Sequence, residues 1–272
     1  MFITKDLCYL EMYKTGSQHI VKLLEKSVPE GKRIGNHNRP NDEVYKSNIY
    51  FLGSIRNPWD WYVSLWNFGC EKRGSLYNRL TSKKIYLDNF GFRTKPLLSP
   101  YIFIQQLWKP LNKWRYLYSD SSNINNFRSW IKLLLGNARA YDSGDGYGLS
   151  SISKFSGIMT YRYLTLYTKN IKKLFDDSIL SYESLKNFDQ ENNVLNYVIK
   201  NESLEKNFIE FLLNNKIQIN ENMKDQILKL NKTNTSTRKI KLSNYFDIET
   251  LELVEDKEKL IIDKYNYQRP NT

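Results

Sequence analysis

Cysteine and histidine are scarce in this chain of 272 residues, with two of each. Cys8 and Cys70 are too few for a disulfide framework or a zinc set. Cys8 also lies in an apolar run, where a thiol packs as a small hydrophobe, and no cluster of residues suggests a metal. No apolar run reaches membrane-spanning length and no signal peptide precedes the first strand, so a cytoplasmic protein is expected. A Walker Gly-x-x-x-x-Gly-Lys is missing, which weakens an ordinary ATPase or kinase reading. Negative charge is in deficit: 41 Lys+Arg against 29 Asp+Glu leave a formal +12. Such a balance suits an anionic ligand, nucleic acid or acidic polymer. The abundance of Asn, Lys, Ile and Tyr is also what an AT-rich genome imposes, so charge alone does not decide.

What is present centres on Ile49 to Phe68. Ile49 to Ile55 is apolar and bounded by turn residues, as in a buried parallel strand. Asn57 offers an N-cap oxygen and Pro58 suits the first helical position. Tyr62, Leu65, Trp66 and Phe68 then continue at helical spacing. Arg56 at the strand's carboxyl end and Ser64 in the helix form the functional pair. A guanidinium, a hydroxyl and a helix N-terminus together favour an anion, and ligands of open α/β sheets bind at that edge.

The N-terminus repeats the pattern. Leu7 to Tyr13 predicts a strand, Lys14-Thr15-Gly16-Ser17 a loop, and Ile20, Val21, Leu23, Leu24 and Val28 one helix face. Gly16 permits close backbone approach to a bound group, Ser17 can cap the helix, and Lys14 adds a point charge where loop N–H groups already attract anions. Two such loops suit opposite ends of one multiply phosphorylated ligand.

Tyr9 to Ile20 resembles the 5′-phosphosulfate loop of sulfotransferases that use 3′-phosphoadenylyl sulfate (PAPS), in particular the carbohydrate-modifying branch. Ile55-Arg56-Asn57-Pro58-Trp59-Asp60-Trp61-Tyr62-Val63-Ser64 resembles that family's 3′-phosphate motif, with the same Arg-to-Ser spacing. Gln18 and His19 stand where small hydroxyl residues are usual, and Trp61 where a basic residue is common. The resemblance implies a P-loop-like three-layer α/β fold: a central parallel sheet flanked by helices, with a helical insertion. It further implies PAPS as co-substrate and adenosine 3′,5′-bisphosphate as product. Lys14, Thr15, Gly16, Ser17, Gln18, His19, Arg56 and Ser64 would bind the cofactor, with Lys14 also catalytic.

Gly31 to Lys46 lies between the two units, and the resemblance implies that a base acting on the acceptor comes from there. His37 is the best-placed candidate, since a neutral imidazole takes a proton near pH 7. Glu11, on the strand before Lys14, is the alternative base, and His19 would support the phosphate site. The segment 231–272 would close over the cofactor through the polar run Asn231 to Lys239, with Arg238 as its contact. As a bare pattern that run is equally a linker.

The middle of the chain, about 71–160, is expected to be an inserted acceptor-binding region, with helices near Tyr101–Trp108, Phe127–Leu135 and Ile158–Leu166. Asp142 to Gly148 is read as a flexible loop lacking the full calcium-loop signature. Arg73, Arg79, Lys83, Lys84, Arg93 and Lys95 could line a cleft for an acidic acceptor. Trp108, Trp114, Tyr116, Tyr118 and Trp130 could stack on sugars or fill the core. Val194 to Ile199 reads as a strand and Glu202 to Leu213 as a helix. No boundary clearly splits the chain, so one domain over 1–272 is expected.

The expected activity is transfer of a sulfuryl group from PAPS to a hydroxyl or amine, on a carbohydrate that could be acidic, with no metal and no nucleic acid. Two other readings remain open. A nucleotide-dependent phosphotransferase fits the strand–loop–helix, and a basic RNA-binding protein fits the charge and the 14% aromatic content. The second would lose affinity steeply with salt.

Overall fold

A computed structural model describes residues 1–86, 96–217, 219–229 and 240–271. Its strands are β1 (Phe2–Ile3), β2 (Leu7–Tyr9), β3 (Lys32–Arg33), β4 (Tyr50–Ile55) and β5 (Tyr197–Lys200). They form a single sheet in the order β3-β1-β2-β4-β5. The sheet is mixed, which corrects the expected all-parallel arrangement. β2, β4 and β5 run parallel, while β1 pairs antiparallel with both β2 and β3. The cause is local: Thr4 Oγ1 accepts from the amides of Asp6 and Leu7 at 3.1 and 2.9 Å. So short a turn can only reverse the chain, because a parallel partner needs a crossover of a dozen or more residues.

The chain divides into two compact units. The first comprises Met1–Asn57, Tyr163–Lys169 and Asn192–Thr235 and contains the sheet. On one sheet face, helix Ser17–Ser27 contributes Ile20, Val21, Leu23 and Leu24, and helix Leu204–Asn214 contributes Leu204, Phe208, Phe211 and Leu212. They pack with Leu52 and Ile199 of the strands. Each such burial is worth about 1.5–3 kcal/mol before entropy is counted. Elsewhere on the sheet Tyr45 stacks on Phe51 with ring centroids 5.7 Å apart. At Gly53 a Cβ would meet Leu195 at 2.8 Å and Tyr167 at 3.2 Å, so any larger residue there must displace those side chains.

Two strands differ in extent from the sequence reading. β2 stops at Tyr9 rather than Tyr13, although the Leu10 amide still reaches Leu52 O at 2.9 Å. The chain then turns, with Lys14 in the left-handed region at φ 61°. β5 starts at Tyr197 because the Val194 amide is taken by Tyr167 O at 2.9 Å, and Asn193 Oδ1 accepts from Leu195 N–H at 3.0 Å.

The second unit comprises Pro58–Arg162, Asn170–Glu191 and Ser236–Thr272. Among the described residues it is helical, beginning with Pro58–Cys70, where Pro58 is the first helical residue as its fixed φ favours. Trp59, Trp61, Trp66, Trp114 and Trp130 are fully buried here. Three of the indole N–H groups bond within the unit: Trp59 donates to Leu251 O at 3.2 Å, Trp66 to Leu117 O at 2.9 Å and Trp114 to Asp142 Oδ2 at 2.8 Å. Of the aromatics that could have stacked on sugars, Trp114, Tyr118 and Trp130 are core, while Trp108 and Tyr116 are exposed. The segment read as a flexible loop is instead packed. Asp142 and Ser143 are buried, and the Asp145 carboxylate accepts from Ser143 Oγ, the Tyr147 amide and Arg162. Among the described residues no helix is long and apolar enough to cross a membrane.

Candidate functional site

β2 and β4 are adjacent and parallel, so the loops leaving their carboxyl ends emerge on the same sheet edge. The β2 loop carries Lys14 to Ser17 and the β4 loop carries Arg56. The structure brings the two together: Arg56 Nη1 donates to the Lys14 carbonyl at 3.2 Å. Both side chains are half-buried. Gly16, at φ 81°, caps helix Ser17–Ser27 without any side-chain bond to its first turn. A Cβ on Gly16 would lie 2.7 Å from the side-chain tips of Asn201 and Leu204, which would have to shift, and its φ independently favours glycine. Lys14 in the left-handed region costs about 1–2 kcal/mol, which the surroundings must hold in place.

The surroundings are a chain of buried hydroxyls. Thr15 Oγ1 donates to Met12 O at 2.9 Å, and since a carbonyl only accepts, Thr15 must receive the proton of Ser54 Oγ, 2.7 Å away. Ser54 then receives from Tyr9 Oη at 2.8 Å. The relay therefore runs Tyr9 to Ser54 to Thr15 to Met12, tying strand to loop. Tyr167 closes it from the far side: its hydroxyl accepts from the Ser54 amide at 3.0 Å and donates to Ser54 O at 2.8 Å. Thr15 thus faces inward, fully buried, and contributes its hydroxyl to the loop's shape.

A second brace involves charge. Arg33 donates through Nε and Nη2 to the two oxygens of the Glu11 carboxylate at 3.1 and 2.5 Å, and through Nη1 to Gln18 Oε1 at 2.9 Å. Glu11 is fully buried and also lies 3.0 Å from the Met1 amino group. Its carboxylate is enclosed by cations. His37 sits at φ 53°, its ring stacked on Tyr13 at 3.9 Å, with Nδ1 2.9 Å from Glu11 O. The acceptor is a carbonyl, so Nδ1 carries the proton and Nε2 holds the lone pair. Burial holds the His37 pKa below its ordinary value, keeping the ring neutral at pH 7.

The remaining candidates are placed elsewhere. His19 is buried with Nε2 3.3 Å from the Glu205 carboxylate on helix Leu204–Asn214. Ser17 is buried in the first helical turn. Ser64 is buried within helix Pro58–Cys70, in the second unit. Arg238 lies outside the described residues. Among those described, no group of three His, Cys, Asp or Glu could hold a metal ion. Sequence reasoning missed Ser54, Tyr167 and the Arg33 clamp. Only Ser54, a hydroxyl inside an apolar strand, left a readable signal. Glu202 was also missed as a ligand of the second loop: its Oε1 accepts from the Asn57 amide at 2.6 Å.

Comparison with protein-family models, with curated proteins and with solved structures gives no match for this chain.

Proposed function

We propose that this chain is a sulfotransferase that moves a sulfuryl group from PAPS to a hydroxyl or amine, on a carbohydrate acceptor. The observation that carries the proposal is the meeting of the two anion loops, joined by the Arg56–Lys14 bond at the carboxyl edge of parallel strands. One nucleotide with a phosphate at each end would span them. Lys14 and the N-terminus of helix Ser17–Ser27 would take the 5′-phosphosulfate, and Arg56 the 3′-phosphate. Ser64 belongs to the proposal through the spacing of its motif.

Transfer of this kind needs little covalent help. The sulfur–oxygen bond to the 5′-phosphate breaks as one forms to the acceptor oxygen or nitrogen, and adenosine 3′,5′-bisphosphate leaves. The Lys14 ammonium would neutralise the bridging oxygen as it becomes negative, and alignment supplies the rest. The acceptor proton would pass to Nε2 of His37, whose lone pair is set by the Glu11 carbonyl. Glu11 suits that role less well, because Arg33 occupies both carboxylate oxygens.

The test is ligand binding by calorimetry and thermal shift. Adenosine 3′,5′-bisphosphate should stabilise the fold by about 2.7 kcal/mol at a hundredfold excess over Kd. AMP, lacking the 3′-phosphate, should bind clearly more weakly. Equal shifts for the two would remove the Arg56 assignment, and a larger shift with ATP would favour a phosphotransferase instead.

A further inference from the structure

Far along the chain from both loops, the second unit holds a cleft of about 570 Å³ lined by Lys83, Lys109, Lys113 and Arg115, with Pro110, Leu111 and Asn112 between them. Among the described residues no acidic one lines it. Arg79, Lys84 and Lys109 also gather over the Tyr86 ring, at 5.4, 5.6 and 5.7 Å from its centroid. The cations are held by neutral groups. Arg79 donates to Gly144 O at 2.5 Å, Lys109 to Arg79 O at 2.7 Å, and Arg115 Nε to Thr81 O at 3.0 Å. Lys109 is buried to 6% exposure, and its nearest acidic influence is Asp142, a carboxylate with no ion pair to it. Among the described residues none of these six cations pairs with a carboxylate, whereas Arg33, Arg73, Lys132 and Arg162 each do.

Like charges gathered in one concavity repel, and among the described residues no carboxylate pairs with them, Asp142 acting on Lys109 without an ion pair. Two are already fixed, Lys109 and Arg115, so a ligand would lose little side-chain freedom in engaging them. Arg115 keeps its terminal guanidinium donors, since only Nε is used. We infer that this cleft binds an acidic oligosaccharide segment, its carboxylate or sulfate groups on the cations and its hydroxyls on Asn112. The inference rests on the proposed function only for treating that saccharide as the acceptor.

Size and lining favour a saccharide over nucleic acid. A volume of about 570 Å³ is that of a small-ligand site. Single-stranded nucleic acid is held by aromatic platforms, and among the described residues no aromatic ring lines this cleft. The Tyr86 face is engaged by cations.

The full-length protein should be titrated calorimetrically with a heparin-derived tetrasaccharide, a tetragalacturonate, neutral maltotetraose and a short oligouridylate, at low and at raised salt. The two acidic saccharides should bind, with affinity falling as salt rises, and maltotetraose should not. Lys113→Glu, at an exposed position that makes no bond, should weaken binding about tenfold or more. Lys113→Ala should lower the salt slope by about one. Maltotetraose binding as well as the acidic probes, oligouridylate binding more tightly than they do, or unchanged affinity in Lys113→Glu would each overturn the inference. Adenosine 3′,5′-bisphosphate is titrated on the same preparations. Saccharide binding through Lys113 without nucleotide binding would leave this site standing and sink the sulfotransferase. Nucleotide binding with no response at Lys113 would do the reverse.

Discussion

Replacing Ser54 by alanine interrupts the hydroxyl relay at its middle, and the geometry sizes the cost. The Tyr9 hydroxyl, on a fully buried side chain, loses its acceptor at 2.8 Å. Thr15 keeps its own bond to Met12 O and loses only an incoming proton. A stranded buried donor costs about 1–3 kcal/mol, so Ser54→Ala should cost roughly 2 kcal/mol, a large share of a total near 5–15 kcal/mol. Tyr9→Phe removes the donor itself. Joining the two changes should therefore cost less than their sum, by about 1 kcal/mol, because the second removes the group the first had stranded.

The assay has to report on the right unit. All six tryptophans lie in the second unit, so indole fluorescence would miss a change confined to the first. Hydrogen exchange of peptides covering β2 and β4 reads the free energy of opening where the relay sits. Ser54→Ala should lower protection there, and the affinity for adenosine 3′,5′-bisphosphate should fall with it, since the relay holds the loop that carries Lys14. Additivity of the two substitutions within about 0.3–0.5 kcal/mol would refute the relay as described.

Lys14→Ala should act mainly on kcat, by about 2.7–4 kcal/mol, whereas Arg56→Ala should mainly weaken nucleotide binding; a Lys14→Ala effect confined to KM would reverse that division. With its pKa held below 6.5 by burial, His37 must be neutral to act, so kcat/KM should stay level through neutrality and fall only below pH 6.5. His37→Ala should cost about 10²–10⁴-fold in rate and flatten that limb, while retention of turnover there with its loss in Glu11→Gln would move the base to Glu11. Glu258 is fully buried in the second unit, where Thr160, Met159 and Tyr62 donate to it, yet burial pushes its pKa from 4.5 up to about 7. The folded state then binds the extra proton, so stability should fall as pH rises from about 4.5 to 7. The loss is on the order of 3 kcal/mol, from 7 minus 4.5 units at 1.4 kcal/mol each. Urea midpoints followed by tryptophan fluorescence should show that slope in wild type and its absence in Glu258→Gln, and an equal slope in both would assign it elsewhere.

The loops were legible because their signals are local. An apolar run, then Lys14-Thr15-Gly16-Ser17 or Arg56-Asn57-Pro58, then helical spacing, encodes strand, turn and helix within twenty residues. β1 was not legible, since two residues carry no periodicity. The Pro58–Cys70 helix was found from Pro58 and its spacing, but it is buried on nearly every face and shows no polar stripe to say what covers it. The central aromatics were ambiguous for a related reason: composition is the same whether a ring packs inward, as Trp130 does, or faces water, as Trp108 does.

What sequence reasoning missed is the set of groups that hold the site rather than form it. Arg33 reaches Glu11 across 22 positions, Tyr167 reaches Ser54 across 113, and Glu202 reaches Asn57 across 145. No motif spans such distances, and each partner alone reads as an ordinary surface charge or core ring. The consequence is chemical as well as predictive. Glu11 looked like a base when only its position before Lys14 was known, and two bonds from Arg33 turn it into a brace. Its backbone carbonyl, which sequence cannot aim, is what fixes the His37 tautomer. A residue's identity states what chemistry it can do, and its long-range partners decide which part of that chemistry remains available.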